Sequence, residues 1–97
     1  MTFSFNAEAL IEYRETAHWY RARSIWAAER FITSVEAAIS AINEDPTRYQ
    51  PTPDGLRIFR LKPYPYRLIY LVESDHFTIY AVEHEKRNPG YWRKRLE

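Results

Sequence analysis

The segment Asp45–Gly55 most constrains the fold, because it separates two stretches of different periodicity. It holds three of the six prolines and the turn dipeptide Asp54-Gly55, and such residues interrupt helices and strands alike. Before it, apolar residues recur at helical spacing, whereas β-branched and aromatic residues dominate after it. The chain is therefore predicted to form a helical block and a strand block, with this segment as the loop between them.

The helical block is predicted to begin with a short strand and to contain two helices. Phe3–Phe5 alternates apolar and polar residues, and Asn6 is a good N-cap for a helix that begins at Ala7. Ser24 can cap a second helix, which ends before Pro46. Because the joint between the helices is short, they are predicted to pack as an antiparallel hairpin.

Each predicted helix has an apolar stripe that identifies its buried side. In the first helix the stripe consists of Leu10, Tyr13, Ala17 and Tyr20. In the second helix it consists of Ala28, Phe31, Ile32, Val35, Ala38, Ile39 and Ile42. The charged residues of the first helix are predicted to lie mostly on its other side: Glu8, Glu12, Arg14, Glu15 and Arg21.

Three stretches in the second block predict an antiparallel meander: Leu56–Leu61, Tyr66–Val72 and Phe77–His84. From Asn88 or Pro89 onward the chain can form one or two helical turns. The predicted class is α+β, with an N-terminal strand and an antiparallel helical hairpin packed on an antiparallel β-sheet, followed by a short C-terminal helix. The hairpin covers one sheet face, so the opposite face is expected to be open and to carry any functional chemistry.

Length and composition limit the class of protein further. A chain of 97 residues predicts one domain, residues 1–97. The chain has no cysteine, which excludes disulfides, a zinc ribbon and a cysteine nucleophile. Its apolar runs are far shorter than the roughly 20 residues of a membrane-spanning helix, and the N-terminus lacks a signal pattern. We therefore expect a cytoplasmic protein without a membrane partner.

The basic residues are distributed unevenly along the chain. The net charge is only +1, but nine of the 14 lysines and arginines lie in residues 51–97. They alternate with Tyr64, Tyr66, Tyr91 and Trp92, and cations beside aromatic rings suit phosphate contact and base stacking. Such charges can also serve only to keep a small surface soluble.

The three histidines show no metal-ligand spacing, so the sequence predicts no metal site. No cofactor is expected either, because the only two glycines cannot form a phosphate-binding loop. His84 differs from the other histidines because it ends the last predicted strand and is followed by Glu85, Lys86 and Arg87. There it could move a proton beside a bound phosphate, or be a hydrogen-bonded structural histidine.

A family resemblance emerges from the order of several short motifs. They are Trp19-Tyr20-Arg21, Arg57-Ile58-Phe59-Arg60-Leu61, Tyr64-Pro65-Tyr66-Arg67-Leu68-Ile69-Tyr70 and the His-x-x-Arg-x-Pro-x-Tyr-Trp pattern of residues 84–92. In order, spacing and total length, the chain resembles the RelE/ParE toxin superfamily. The resemblance implies a plasmid-stabilisation type of protein, the toxin of a type II toxin–antitoxin module. Such a toxin has a helical hairpin against an antiparallel sheet and is held inactive by a cognate antitoxin.

The resemblance also suggests which residues could act on RNA. Four positions match basic or stacking residues of RelE-like members: Arg60, Arg67, Arg87 and Tyr91. Two positions depart from that pattern, since Ile58 stands in place of a lysine and Glu85 in place of an arginine. His84 could compensate for the missing cations. The candidate catalytic set is thus Arg60, Arg67, His84, Arg87 and Tyr91.

Three hypotheses of function follow from the resemblance. RelE-like members cut messenger RNA on the ribosome, so the chain could be a metal-independent endoribonuclease, an mRNA interferase. ParE-like members bind DNA gyrase, and the missing cations and the C-terminal pattern favour a gyrase inhibitor whose toxicity resides in residues 87–96. The third hypothesis is a degenerate toxin that persists as an antitoxin-binding partner.

Overall fold

A computed structural model describes all 97 residues of the chain. Strand β1 (Thr2–Phe5) is followed by helices α1 (Ala7–Arg21) and α2 (Ile25–Glu44). The strands β2 (Gln50–Pro51), β3 (Arg57–Arg60), β4 (Tyr66–Glu73) and β5 (His76–His84) come next, and a 3₁₀ turn spans Arg93–Leu96. The α+β fold class is confirmed.

The predicted caps begin both helices. The Asn6 side chain accepts a hydrogen bond from the Glu8 amide at 2.9 Å, and the Ser24 hydroxyl accepts from the Trp26 amide at 3.2 Å. Each cap satisfies an amide that has no partner within its own helix. Only Ala22–Ser24 connects α1 to α2, so the two helices pack against each other as the predicted hairpin.

The sheet is mixed rather than wholly antiparallel, with the strand order β1-β5-β4-β3-β2. Strand β1 pairs in parallel with β5, in a register from Thr2 opposite His76 to Phe5 opposite Ile79. Alternating residues identify a strand but carry no information on its partner or its direction. The predicted loop Asp45–Gly55 also contains the two-residue strand β2, which pairs with β3 at the other sheet edge.

The main hydrophobic core lies between the hairpin and one face of the sheet, here called the helix face. Phe31 is fully buried at its centre, and the rings of Tyr13, Tyr20, Tyr64 and Tyr66 lie within 6.1 Å of it, centroid to centroid. Aromatic side chains supply large buried areas, which a chain of this length needs. The apolar stripes of the sequence therefore identify the helix face.

The opposite face, here called the second face, is partly covered, although it was expected to be open. The residues after β5, which we call the C-terminal segment (residues 85–97), place Trp92 against Leu56, Ile69 and Ala81. A bulge in β5 shifts the register, so that Ile69 pairs with Ala81 while the next residue pairs with Ile79. Tyr80 and Ala81 therefore both contribute to the second face.

The predicted C-terminal helix is only the 3₁₀ turn at residues 93–96. Neither α1 nor α2 combines the length and the apolar character that a membrane span requires.

Candidate functional site

The five predicted site residues do not form one cluster, because the strands place them on opposite faces. Arg60 and Arg67 are directly opposed on β3 and β4, and Arg67 lies on the second face with Ile69. His84 and Arg87 line a cleft beside α1. Between β4 and β5, Arg67 lies opposite Glu83, whereas its neighbour Tyr66 lies opposite His84. Consecutive strand residues point to opposite faces. Arg67 and His84 are therefore on different faces of the sheet.

Arg67 is held in a buried ion pair on the second face. Its Nη2 lies 2.7 Å from Oε1 of Glu83, and the two side chains are 17% and 4% exposed. The other carboxylate oxygen, Oε2, accepts a hydrogen bond from the Trp92 indole N–H at 3.0 Å. Trp92 itself is buried, so it covers the pair. Arg67 is therefore neutralised by a partner within the chain, whereas Arg60 is exposed.

A cavity of about 190 Å³ lies beside this pair on the second face. Its walls come from β2 and the loop after it, from the strands and from the turn Pro89-Gly90. Arg67, Arg93 and the buried Glu83 carboxylate all line it, but each arginine is already paired with a carboxylate, Glu83 or Asp54. The cavity therefore offers an entering anion no unpaired cation.

The turn at Gly90 shapes the part of the C-terminal segment that covers the second face. Gly90 has a φ of +77°, and a Cβ at this position would collide with the Arg93 guanidinium. The positive φ favours glycine, and a larger residue would also displace the end of the Arg93 side chain. Arg93 in turn donates from Nε to Oδ2 of Asp54 at 2.7 Å, which ties the segment to the loop before β3.

Glu12 of α1 is the most heavily bonded side chain of the candidate site. Its Oε1 accepts from the Val82 amide at 3.0 Å and from Arg95 Nη1 at 2.9 Å. Its Oε2 accepts from the Tyr91 hydroxyl at 2.7 Å and from Arg95 Nη2 at 2.9 Å, and more distantly from Arg87 Nη1 at 3.5 Å. One carboxylate therefore joins α1, β5 and the C-terminal segment.

The charges around Glu12 fix the protonation of its partners. Burial by itself raises the pKa of Glu12, but hydrogen bonds from Arg95, Tyr91 and the Val82 amide outweigh it and leave the pKa below its ordinary value. Burial and the Glu12 carboxylate raise the pKa of Tyr91 far above its ordinary range. The Tyr91 hydroxyl is therefore the donor in its hydrogen bond to Glu12.

The interpretation of Glu12 as a residue on the solvent side of the helix is wrong. It lies on the stripe of α1 that includes Ala9 and Thr16, the two buried residues of that helix, at intervals of three and four residues. Small residues one turn before and after a glutamate indicate close packing there. That signal was present in the sequence, but Arg95 as its partner was not predictable, because it lies 83 positions later.

His84 lies on the helix side of the sheet, half-buried at the end of β5. Its ring contacts Tyr66 edge to face, with centroids 5.0 Å apart, and its Nδ1 accepts from the Lys86 amide at 3.0 Å. It lines a cleft of about 250 Å³ with Trp19, Glu15 and Arg87, among others. This geometry fits a hydrogen-bonded structural histidine. No group of three or more acidic or histidine side chains could hold a metal ion.

Comparison with known proteins places this geometry in a family. Among solved structures, a chain described as "Chromosomal ParDE TA system from P. aeruginosa" shares the fold, with a TM-score of 0.63, 13% sequence identity, and coverage of 87% of this chain and 95% of that one. No curated protein sequence matches significantly. The family model for the ParE toxin of the type II toxin–antitoxin system parDE matches residues 3–89. The chain therefore belongs to the ParE toxin family of type II toxin–antitoxin systems.

Proposed function

We propose that the chain inhibits growth by binding DNA gyrase, and that it does not cleave RNA. The observation that carries this proposal is the ion pair between Arg67 and Glu83 beneath Trp92. This ion pair occupies Arg67, the arginine that an RNA-cleaving site of the RelE type would use to bind phosphate. The endoribonuclease hypothesis, which rested on Arg67 and its four companions, is therefore the weaker one.

The chemistry of RNA cleavage explains why this ion pair matters. The ribose 2'-hydroxyl must lose a proton, the pentacoordinate phosphate must be stabilised by fixed cations and the leaving oxygen must gain a proton, all around one phosphate. Here Arg67 is paired on the second face, while His84 opens onto the cleft beside α1. The Tyr91 hydroxyl donates a hydrogen bond to Glu12. The necessary groups do not converge.

The C-terminal segment offers a surface for binding instead. Trp92 anchors it to the sheet, and Arg95 and Tyr91 anchor it to α1. Between these anchors, the side chains of Arg93 and Lys94 are exposed. A segment held at several points loses little conformational entropy on binding, so it can bind a partner tightly through a few charged and aromatic contacts. We propose that residues 87–96 contact gyrase.

The natural inhibitor of the chain is proposed to be a cognate antitoxin. The solved structure with the same fold carries the name of a ParDE toxin–antitoxin system, and the chain matches the toxin of such a system by sequence. We propose that the pair acts in the cytoplasm, where gyrase is found.

The decisive experiment measures supercoiling by purified gyrase in the presence of the purified chain. We expect inhibition, and we expect Lys94→Glu to weaken it about tenfold because that charge lies in the proposed contact surface. Lys62→Glu makes the same change of charge at another exposed lysine, outside the C-terminal segment, and should leave inhibition unchanged.

Induction of the chain in bacteria without an antitoxin provides the matching test in cells. Thymidine incorporation should fall before amino-acid incorporation does. If amino-acid incorporation falls first, and purified ribosomes with the chain cut messenger RNA in a manner that Arg67→Ala abolishes, the gyrase proposal is wrong. Growth unaffected by induction of the folded chain would instead identify a degenerate toxin.

A further inference from the structure

We propose that Glu12 is the positioning residue that holds the C-terminal segment in the conformation that binds the target. The inference rests on the proposed function, because it takes the C-terminal segment as the contact surface. It adds a residue of α1 that touches no target itself and acts through Tyr91 and Arg95.

The first argument is the convergence of the C-terminal segment on this one carboxylate. Arg87, Tyr91 and Arg95 are four residues apart and all donate to Glu12. The Arg87 guanidinium lies 3.8 Å from the centroid of the Tyr91 ring, and the Arg95 guanidinium lies 5.0 Å from it. Both cations therefore contact the ring while they bond to Glu12, and the group forms a single unit.

The second argument is the charge balance of this unit. Arg95 is nearly enclosed, with its side chain 7% exposed, and Arg87 is about half exposed. Glu8 also lies near Arg95, 3.2 Å from its Nε, but Glu8 is mostly exposed. Without the Glu12 charge, Arg87 would have no ion pair, and Arg95 would keep only the exposed Glu8 carboxylate and the Tyr80 carbonyl as partners. Because Arg95 is nearly enclosed, the loss of its most buried counter-charge is costly, and we expect the segment to loosen from α1.

The third argument is that all but one of the side-chain hydrogen bonds of Glu12 go to the C-terminal segment. Four of the five come from Arg87, Tyr91 and Arg95. Its one hydrogen bond with the sheet itself comes from the Val82 amide. The effect of removing its charge should therefore be local to the C-terminal segment, which distinguishes a positioning role from a general role in stability.

The test compares Glu12→Gln with Glu15→Gln. Both variants remove one negative charge from α1, and both residues line the same cleft, but Glu15 makes no bond to the C-terminal segment. Amide hydrogen exchange is measured residue by residue. In Glu12→Gln we expect the amides of Arg93 and Arg95, which are bonded within the segment, to exchange about tenfold faster or more, while those of β4 are unchanged. In Glu15→Gln no amide should change.

Two further variants keep the test decisive. Glu12→Asp keeps the charge on a shorter side chain and should return exchange to within about threefold of the parent protein. Tyr91→Phe removes a single hydrogen bond and no charge, and should accelerate exchange in the segment by about threefold. If Glu12→Gln does not fold, Tyr91→Phe gives the answer alone, and unchanged exchange in that variant would overturn the proposal.

The outcomes separate this inference from the proposed target. The inference is wrong if Glu12→Gln leaves the C-terminal segment as protected as before, or if it accelerates exchange equally throughout the sheet. In the gyrase assay, Glu12→Gln should raise the inhibitory concentration about tenfold, and Glu12→Asp should restore most of the inhibition. If the parent protein does not inhibit gyrase but the exchange pattern is as expected, the target is wrong and the positioning role stands.

Discussion

The two faces of the sheet are held together in different ways. On the helix face, the cluster around Phe31 consists of apolar and aromatic side chains contributed by both helices and the sheet. On the second face, the cluster has only four fully buried members, and beside it lies the ion pair of Arg67 and Glu83. The helix face is stabilised mainly by burial of apolar area, whereas the second face also depends on charges that must remain paired.

This difference shows where a small toxin can change its function. An apolar interface tolerates exchanges of similar volume, and it needs no particular residue to define it. A buried ion pair has a specific partner for each charge, so a single substitution alters what that face can do. Here Glu83 pairs with Arg67 and accepts a hydrogen bond from Trp92, so a single residue joins the charge and the cover of this face.

The largest effect is expected on the helix face. Phe31→Ala should lower the free energy of unfolding by about 4 kcal/mol, because it removes a fully buried ring. Trp26→Ala removes a larger ring from the same helix, but Trp26 is 66% exposed, so the loss should stay below about 1 kcal/mol. Urea denaturation measures both. Equal losses would show that the aromatic core is not the main source of stability.

The second-largest effect is expected on the second face, where a substitution can remove a charge with almost no change in volume. Glu83→Gln should cost about 3 kcal/mol, since it leaves Arg67 buried without a counter-charge. Glu73→Gln, at the exposed end of β4, serves as the control and should change stability by less than about 0.5 kcal/mol. A Glu83→Gln protein as stable as its parent would mean that the second face does not rely on the ion pair.

Acid should loosen the C-terminal segment before it unfolds the helix face. A carboxyl whose pKa is depressed by folding contributes stability that is present above its unfolded pKa and is lost as the pH falls through the folded pKa. The ordinary value is 4.5, so the loss should begin below about pH 4.5. The groups that face Glu12 are Arg87, Tyr91 and Arg95 of the C-terminal segment, Glu8 and Glu15 of α1, and His84 of β5.

The amide resonances of Arg93 and Arg95 report this transition, because both amides are bonded within the C-terminal segment. In the parent protein they should shift on acidification while the Phe31 ring signals remain. In Glu12→Gln the shift should already be present at neutral pH. Simultaneous loss of both signals in the parent would show that the two faces unfold as one unit.

The smallest effect is expected at the exposed tie between Arg93 and Asp54. Their side chains are 54% and 33% exposed, so Asp54→Asn should cost less than about 1 kcal/mol, and less still in high salt. Denaturation at low and high ionic strength measures it. A loss as large as that of Glu83→Gln would remove the distinction between paired charges that are buried and those that are exposed.

The sequence predicts those parts of the molecule that depend on local pattern. The caps Asn6 and Ser24, the helical hairpin and four of the five strands follow from spacing and turn residues within a few positions. The parallel pairing of β1, the burial of Glu83 and the role of Glu12 do not, because each depends on a partner distant in sequence or on how the C-terminal segment lies over the sheet. In this chain, most of the candidate site belongs to that second class.

The pairing of β1 with β5 also determines when the sheet can be completed during synthesis. Strand β1 is the first of the five strands to be made, and its only neighbour in the sheet is β5, the last of them. The paired residues Thr2 and His76 are 74 positions apart in the chain. Until β5 is synthesised, β1 has no neighbour in the sheet, and the C-terminal segment that covers the second face follows later still. A chain translated only as far as β4 therefore lacks both the neighbour of β1 and the segment that covers the second face.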